Sequence, residues 1–406
     1  MMTQEKNESQ EWSRYYALDA LRVIAFGVLI FYHIGMYYVL EWGWHIKSPT
    51  QFAWLQDIMI LSNQWRMSLL FLISSMVLVA TYTKMLKHGS VFNAQYRLIG
   101  SRVFRLFLPL VFGMYVIVSP QVYIEWTANG TIDASFGEFY RNYINPNSHW
   151  LAEKQSVIGL LTWNHLWFLP YLLVYSVVLL LMLPLLNTAA NAMPPALSKF
   201  WLFNLTVIVI TLVVWLNLRQ LFPTTHDLLN DWYSHAKYGV VMLVGAVIML
   251  SSDLWAKVTQ YRQWYLCVAI FCYGLIILDR HDYLGPVGDW MTQSYAFRVF
   301  VGIIVVANHW AWLGAILGYG KRYLNQPNEL IQKLNKGIYC YYIIHQTLIV
   351  VFAYMLSQLA LPIVVEFVLL VALTLLGCSL AYQIAKHVPY VRWCFGIFNS
   401  DKPKRA

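Results

Sequence analysis

The chain has 406 residues, of which 59% are hydrophobic and only 12% charged, and its mean hydropathy is +0.52. A soluble domain carries about 25% charge, so the composition excludes a soluble globular protein and points to an integral membrane protein built of helices rather than barrel strands. The net charge of +9 does not indicate nucleic acid, because the basic residues fall in connections between apolar runs, where topology accounts for them.

Residues 1–14 read as a short polar tail. Apolar runs then recur at about 17–40, 57–82, 104–126, 163–188, 200–222, 236–252, 263–279, 295–319, 337–360 and 363–386. This predicts an all-α polytopic bundle of ten helices over residues 15–388, followed by a second tail at 389–406. The first run is too long for the h-region of a signal peptide and lacks a small-residue cleavage site, so it reads as a retained span. Pro109, Pro120, Pro170 and Pro184 fall inside spans, where kinks are expected. No internal repeat is visible. With the N-terminus cytoplasmic, about 19 of the 28 Lys and Arg residues fall on the cytoplasmic side and about 6 on the other. The positive-inside rule therefore makes both termini cytoplasmic. Cys267, Cys272, Cys340, Cys378 and Cys394 form no C-x-x-C pair and read as small core residues.

The first span is the one that carries chemistry. LDALRVIAFGVLIFYH, Leu18 to His33, is apolar yet holds Asp19, Arg22 and His33. Ionisable groups in lipid are expensive and mark function by default. Asp19 and Arg22 are three apart and can pair. Arg22 and His33 are eleven apart and share a helix face, and a histidine is a natural general base near neutral pH. In the second span, WRMSLLFLISS places Arg66 at a depth from which it can reach His33 and stabilise an oxyanion.

The loop after span two carries Lys84, Lys87, Arg97, Arg102 and Arg105. Its closing RVFR puts Arg102 and Arg105 on one face, suited to bidentate phosphate contacts, as for a coenzyme A donor. On the opposite side, WNHLWFL supplies His165 and Trp167, loop 41–56 supplies Trp44 and His45, and loop 127–162 is the longest connection. Aromatic faces beside polar groups suit a carbohydrate, and they equally suit an interfacial belt. His345, in GIYCYYIIHQTLI, is expected eight residues into span nine, in the cytoplasmic half, beside Tyr339 and Tyr342. The other nine histidines are scattered and suggest no relay. Metalloprotease, Walker A, G-x-S-x-G and dinucleotide motifs are absent.

Taken together, LDALR with the Arg-x10-His spacing, RMSLLFLISS, the Arg-x-x-Arg of Arg102 and Arg105, HLWFL and IYCYYIIH resemble acyltransferase family 3 from Tyr15 to about Lys402. WHIKS at Trp44 to Ser48 and the closing VPYVRW…KP are similar to the glucan biosynthesis protein C branch, which modifies periplasmic glucans. One departure is Ser74-Ser75, where relatives often have Ser-Gly, which puts the local helix packing in question.

The resemblance implies a multi-pass enzyme of a bacterial inner membrane. It would transfer an acyl group, succinyl or acetyl, from cytoplasmic acyl-coenzyme A to a hydroxyl of an extracytoplasmic glycan, with no permanently bound cofactor and no metal. His33 would be catalytic, with Arg22 its partner and Asp19 and Arg66 in support. Arg102, Arg105, Arg97 and His345 would serve the donor, and Trp44, His45, His165 and Trp167 the acceptor. The bilayer, the acyl donor and the glycan are the expected partners, with self-association or glycan-assembly partners left open. The rival reading is a transporter of a polar solute that uses the same charges for binding.

Overall fold

A computed structural model describes residues 15–154, 156, 158–192 and 200–398. The tail 1–14, the segment 193–199 with Pro194, Pro195 and Lys199, and residues 399–406 with Lys402, Lys404 and Arg405 lie outside the described residues. Among the described residues, ten helical stretches are long and apolar enough to cross a membrane, and no strand is present. Without water to pair backbone groups, a spanning segment must satisfy its own hydrogen bonds, which selects the helix.

In chain order the helices are α1 (Tyr16–Tyr38), α2 (Leu55–Asn63), α3 (Arg66–Leu86), α4 (Val91–Phe112), α5 (Ser119–Ala128), α6 (Phe136–Tyr143), α7 (Phe168–Ala192) and α8 (Phe200–Leu218). They continue with α9 (Trp232–Leu250), α10 (Ser252–Gln260), α11 (Arg262–Arg280), α12 (Val287–Gln293), α13 (Tyr295–Tyr323), α14 (Glu329–Ser357), α15 (Ile363–His387) and α16 (Val391–Cys394). The first span lies at the centre: α1 packs on α14, α13, α3 and α2. The apolar windows of α1, α2–α3 and α14 are each 56% buried, against 11% for α11, which is therefore a peripheral helix.

Two helices begin earlier than their apolar runs. α4 starts at Val91, where the Ser90 side chain accepts the Asn93 N–H, and α14 starts at Glu329, where Asn328 accepts the Ile331 N–H. Polar first turns behind a good cap extend each helix beyond the hydrocarbon. Arg97, Arg102 and Arg105 consequently sit on a helix rather than a loop. His345 lies sixteen residues into α14, near the middle of the helix.

Between α4 and α5 the chain makes a π turn over Gly113–Ile117, just after Pro109. A proline inside a helix leaves one carbonyl without its donor, and the helix rewinds locally. Donors from elsewhere meet this turn: the Tyr143 hydroxyl bonds Met114 O at 3.0 Å and the Thr347 hydroxyl bonds Ile117 O at 2.7 Å.

Ser75 is accommodated by a small residue on the facing helix. Its hydroxyl donates to Met242 O at 2.5 Å, and Gly245 lies so close to α3 that a Cβ there would stand 2.8 Å from Leu72 O. Part of the expected C-terminal tail is packed: Phe395 meets Phe112 at 5.2 Å, and Phe398 lies under the Arg105 guanidinium at 5.0 Å.

Candidate active site

The end of α1 is pinned before it presents its histidine. Lys47, from WHIKS, donates its ammonium to the carbonyls of Met36 (2.8 Å), Trp42 (3.1 Å) and Val39. A cation on the last carbonyls of a helix satisfies both the orphan acceptors and the dipole. Burial holds the Lys47 pKa below its ordinary value.

Five turns of α1 from its start, His33 meets His345 of α14. His33 Nδ1 lies 2.8 Å from His345 Nε2, and the rings stack with centroids 5.0 Å apart. His345 is fully buried, and its Nδ1 faces the carbonyls of Tyr342 (2.8 Å) and Tyr341 (3.1 Å). A carbonyl oxygen only accepts, so His345 Nδ1 carries the proton. In a neutral ring its Nε2 is then an acceptor, which requires His33 to donate from Nδ1. The tautomer of His33 is thus set by two backbone carbonyls acting through a second imidazole, and its Nε2 keeps a free lone pair.

His33 lines a cavity of about 970 Å³. Tyr32, Arg66, His165 and Trp167 line it as well. Arg66 is the first residue of α3, 5% exposed, with its guanidinium 3.5 Å above the Tyr32 ring and Nη1 3.3 Å from the Ser62 hydroxyl. Its Nε has no partner among the described residues. His165 donates from Nε2 to Ile343 O at 2.9 Å, and Trp167 stacks on His226 at 4.1 Å. Burial holds the His226 pKa below its ordinary range, with Asp231 pulling the other way. The cavity reaches Thr224, Leu284 and Trp290 in the connections expected to be extracytoplasmic.

Trp44, His45 and loop 127–162 do not line this cavity. His45 stands behind His345: its Nδ1 donates to the Glu125 carboxylate and its Nε2 lies 2.8 Å from Gln346 Nε2. Gln346 continues to Gln121 at 3.2 Å, and Gln121 to Thr347 (2.6 Å) and His165 (3.4 Å). Trp44 packs on the His45 ring. Of the histidines that looked scattered in sequence, His45 and His165 are joined through Gln346 and Gln121, and the His165 ring meets that of His345, the partner of His33, at 5.2 Å.

At the other end of α1, Asp19 Oδ1 and Arg22 Nη1 are 4.0 Å apart, as their spacing predicts, and Asn335 donates to Asp19 at 2.9 Å. Arg22 and Arg105 are both close enough to the half-buried Arg102 for their charges to act on it. Arg97 is exposed and lies about 140° around α4 from Arg102. The Tyr339 phenol donates to Arg105 O at 3.2 Å and stacks on Tyr342, 6.3 Å away. Tyr342 lines the cavity and donates to His165 O at 2.7 Å. A two-tyrosine stack thus lies between the arginine cluster and His33.

Sequence reasoning missed Lys237, His309, Gln121 and Gln346. The first two stand in apolar runs, so the rule that flags intramembrane ionisable groups applies to them as it does to His33.

The family model of an acyltransferase domain, acyltransferase family 3, matches residues 15–383. No curated protein and no solved structure gives a significant match.

Proposed function

We infer the reaction from one premise: the chain belongs to acyltransferase family 3, so it is a multi-pass membrane acyltransferase. Our reading is O-acyl transfer from cytoplasmic acyl-coenzyme A, succinyl or acetyl, to a hydroxyl of an extracytoplasmic glycan such as a periplasmic glucan. The observation that carries it is the imidazole pair in which His33 lines the cavity and the buried His345 stands behind it. A base held in the Nδ1–H tautomer, with its other nitrogen unencumbered, is what abstraction of a hydroxyl proton requires.

In this mechanism the donor phosphates dock on Arg102 and Arg105, with Arg22 adding to the local positive potential. The pantetheine arm displaces the Tyr339–Tyr342 stack and brings the thioester carbonyl to His33. An acceptor hydroxyl enters the cavity and gives its proton to His33 Nε2 as its oxygen attacks that carbonyl. The carbon–oxygen bond forms, and the tetrahedral oxyanion is stabilised by the Arg66 guanidinium. The carbon–sulfur bond then breaks, and the thiolate takes the proton back from His33. Trp167 and His165 shape the acceptor side.

The test uses purified protein with succinyl- or acetyl-coenzyme A and isolated glucan. Thioester loss should accompany a mass gain of one acyl ester on the glycan. His33→Ala should reduce transfer about 10²–10⁴-fold, the range a general base supplies, with expression intact. Full transfer by that variant would end the assignment of His33.

A further inference from the structure

The far half of the cavity carries charges that this mechanism does not use. Lys237, one turn into α9, and Arg219, just past α8, both line it, and each feels the other's charge. Among the described residues neither makes an ion pair, and each lies over an aromatic ring at 5.2 Å, Arg219 over Trp215 and Lys237 over Tyr238. Two acids stand nearby. Asp231 is fully buried, and its Oδ2 accepts from the Tyr171 hydroxyl (2.9 Å) and the His226 N–H (3.2 Å), so it reaches Lys237 only at longer range. Asp279 lies elsewhere on the wall.

His309 stands on the same wall, 5% exposed. Its Nδ1 donates to Gln64 O at 2.7 Å, across the break between α2 and α3, so Nε2 is an acceptor, and that atom has no partner among the described residues. Arg66 adds a third cation at the start of a helix, where the dipole makes a positive charge unfavourable unless an anion answers it. Of these cations Arg66 is buried, Lys237 half-buried and Arg219 exposed, and ionisable groups held at membrane depth mark places where a ligand answers their charge.

We propose that this half of the cavity is an anion subsite. Lys237 and Arg219 hold a carboxylate or phosphate of the substrate, and His309 Nε2 accepts a hydroxyl beside it. The proposal rests on the acyl-transfer reading and narrows it to substrates bearing an oxyanion. That oxyanion is either the free carboxylate of a dicarboxylic acyl group or an acidic group on the acceptor.

The test is direct binding to the full chain in nanodiscs of neutral lipid. Succinate and inorganic phosphate are titrated at constant ionic strength, and the fluorescence of the cavity tryptophans Trp167, Trp215 and Trp290 is followed. At least one probe should saturate with the wild type and with His33→Ala. Lys237→Gln and Arg219→Gln should each weaken binding at least tenfold, while Lys237→Arg stays within threefold. Two glutamine variants allow for one that fails to fold.

Transfer assays then separate the sources of the anion. If Lys237→Gln impairs the succinyl donor alone, the carboxylate belongs to the acyl group. If it impairs succinyl and acetyl donors equally, the anion belongs to the acceptor. No saturation by either probe, or equal binding by wild type and both glutamine variants, overturns the subsite and leaves the reaction standing. Anion binding by a protein that consumes no thioester overturns the reaction and leaves the subsite standing.

Discussion

Replacing His345 with alanine removes the acceptor that holds His33 in its productive tautomer. The lost bond is short, at 2.8 Å, and lies beside a fully buried ring. Leaving a buried N–H without a partner costs about 1–3 kcal/mol. His33 can escape that cost by moving its proton to Nε2, which destroys the base. Either route reduces the competent fraction by roughly 5–150-fold. The fall of about 10⁴ seen when a triad aspartate is neutralised is an upper bound, because His345 is uncharged and gives no extra stabilisation to an imidazolium. We expect kcat to fall about 30–100-fold in His345→Ala, with KM for donor and acceptor within about threefold. His345→Gln returns an amide oxygen near the position of the ring Nε2 and should recover about tenfold. The assay is initial thioester consumption at saturating acceptor, with expression and melting temperature as folding controls. A kcat within threefold of wild type in His345→Ala, or a loss confined to KM, would refute the tautomer argument. A glutamine variant as slow as the alanine one would do the same.

Other outcomes are open to measurement. Arg102→Ala and Arg105→Ala should each raise KM for acyl-coenzyme A about tenfold with little change in kcat, and added salt should shrink the difference. Steady-state kinetics at two ionic strengths decides this. Gly245→Ala would drive a Cβ to 2.8 Å from Leu72 O, and such overpacking costs about 1–3 kcal/mol. The apparent melting temperature should drop by about 2–6 °C, and no drop would show that α3 and α9 can separate freely. His226 has its pKa lowered by burial. As pH falls through the ordinary histidine range, the unfolded chain binds a proton that the folded chain resists, so the folded state loses stability there. Melting temperatures taken from about pH 7 to about pH 5 should fall, and fall less in His226→Gln.

The spans were legible because insertion into lipid is a local property: each apolar run is decided by its own residues. The Asp19–Arg22 pair follows from helical spacing and is present. Helix starts were read too late at α4 and α14, because hydropathy marks the hydrocarbon boundary while caps such as Ser90 and Asn328 mark the helix. The contact between His33 and His345 spans 312 positions and has no local signature. Only packing of α1 on α14 creates it, and it sets His345, expected on the donor side, beside His33. Trp44 and His45 were proposed for the acceptor because aromatic density on a loop resembles a sugar surface. In the structure His45 joins the hydrogen bonds behind His345, and Trp44 packs on the His45 ring. Lys237 counted only among the six outer-face cations, and His309 drew no role, although each interrupts an apolar run.

The Tyr339–Tyr342 stack has a consequence for the cell as well as for the reaction. A protein that admits reactants from both faces of a bilayer is at risk of becoming a leak for ions and protons, which would dissipate the gradients the membrane exists to hold. Under the proposed mechanism the flat rings between the arginine cluster and the cavity would give way only to a similarly thin chain. The arriving donor would then fill the space it opens, and the barrier would hold throughout turnover.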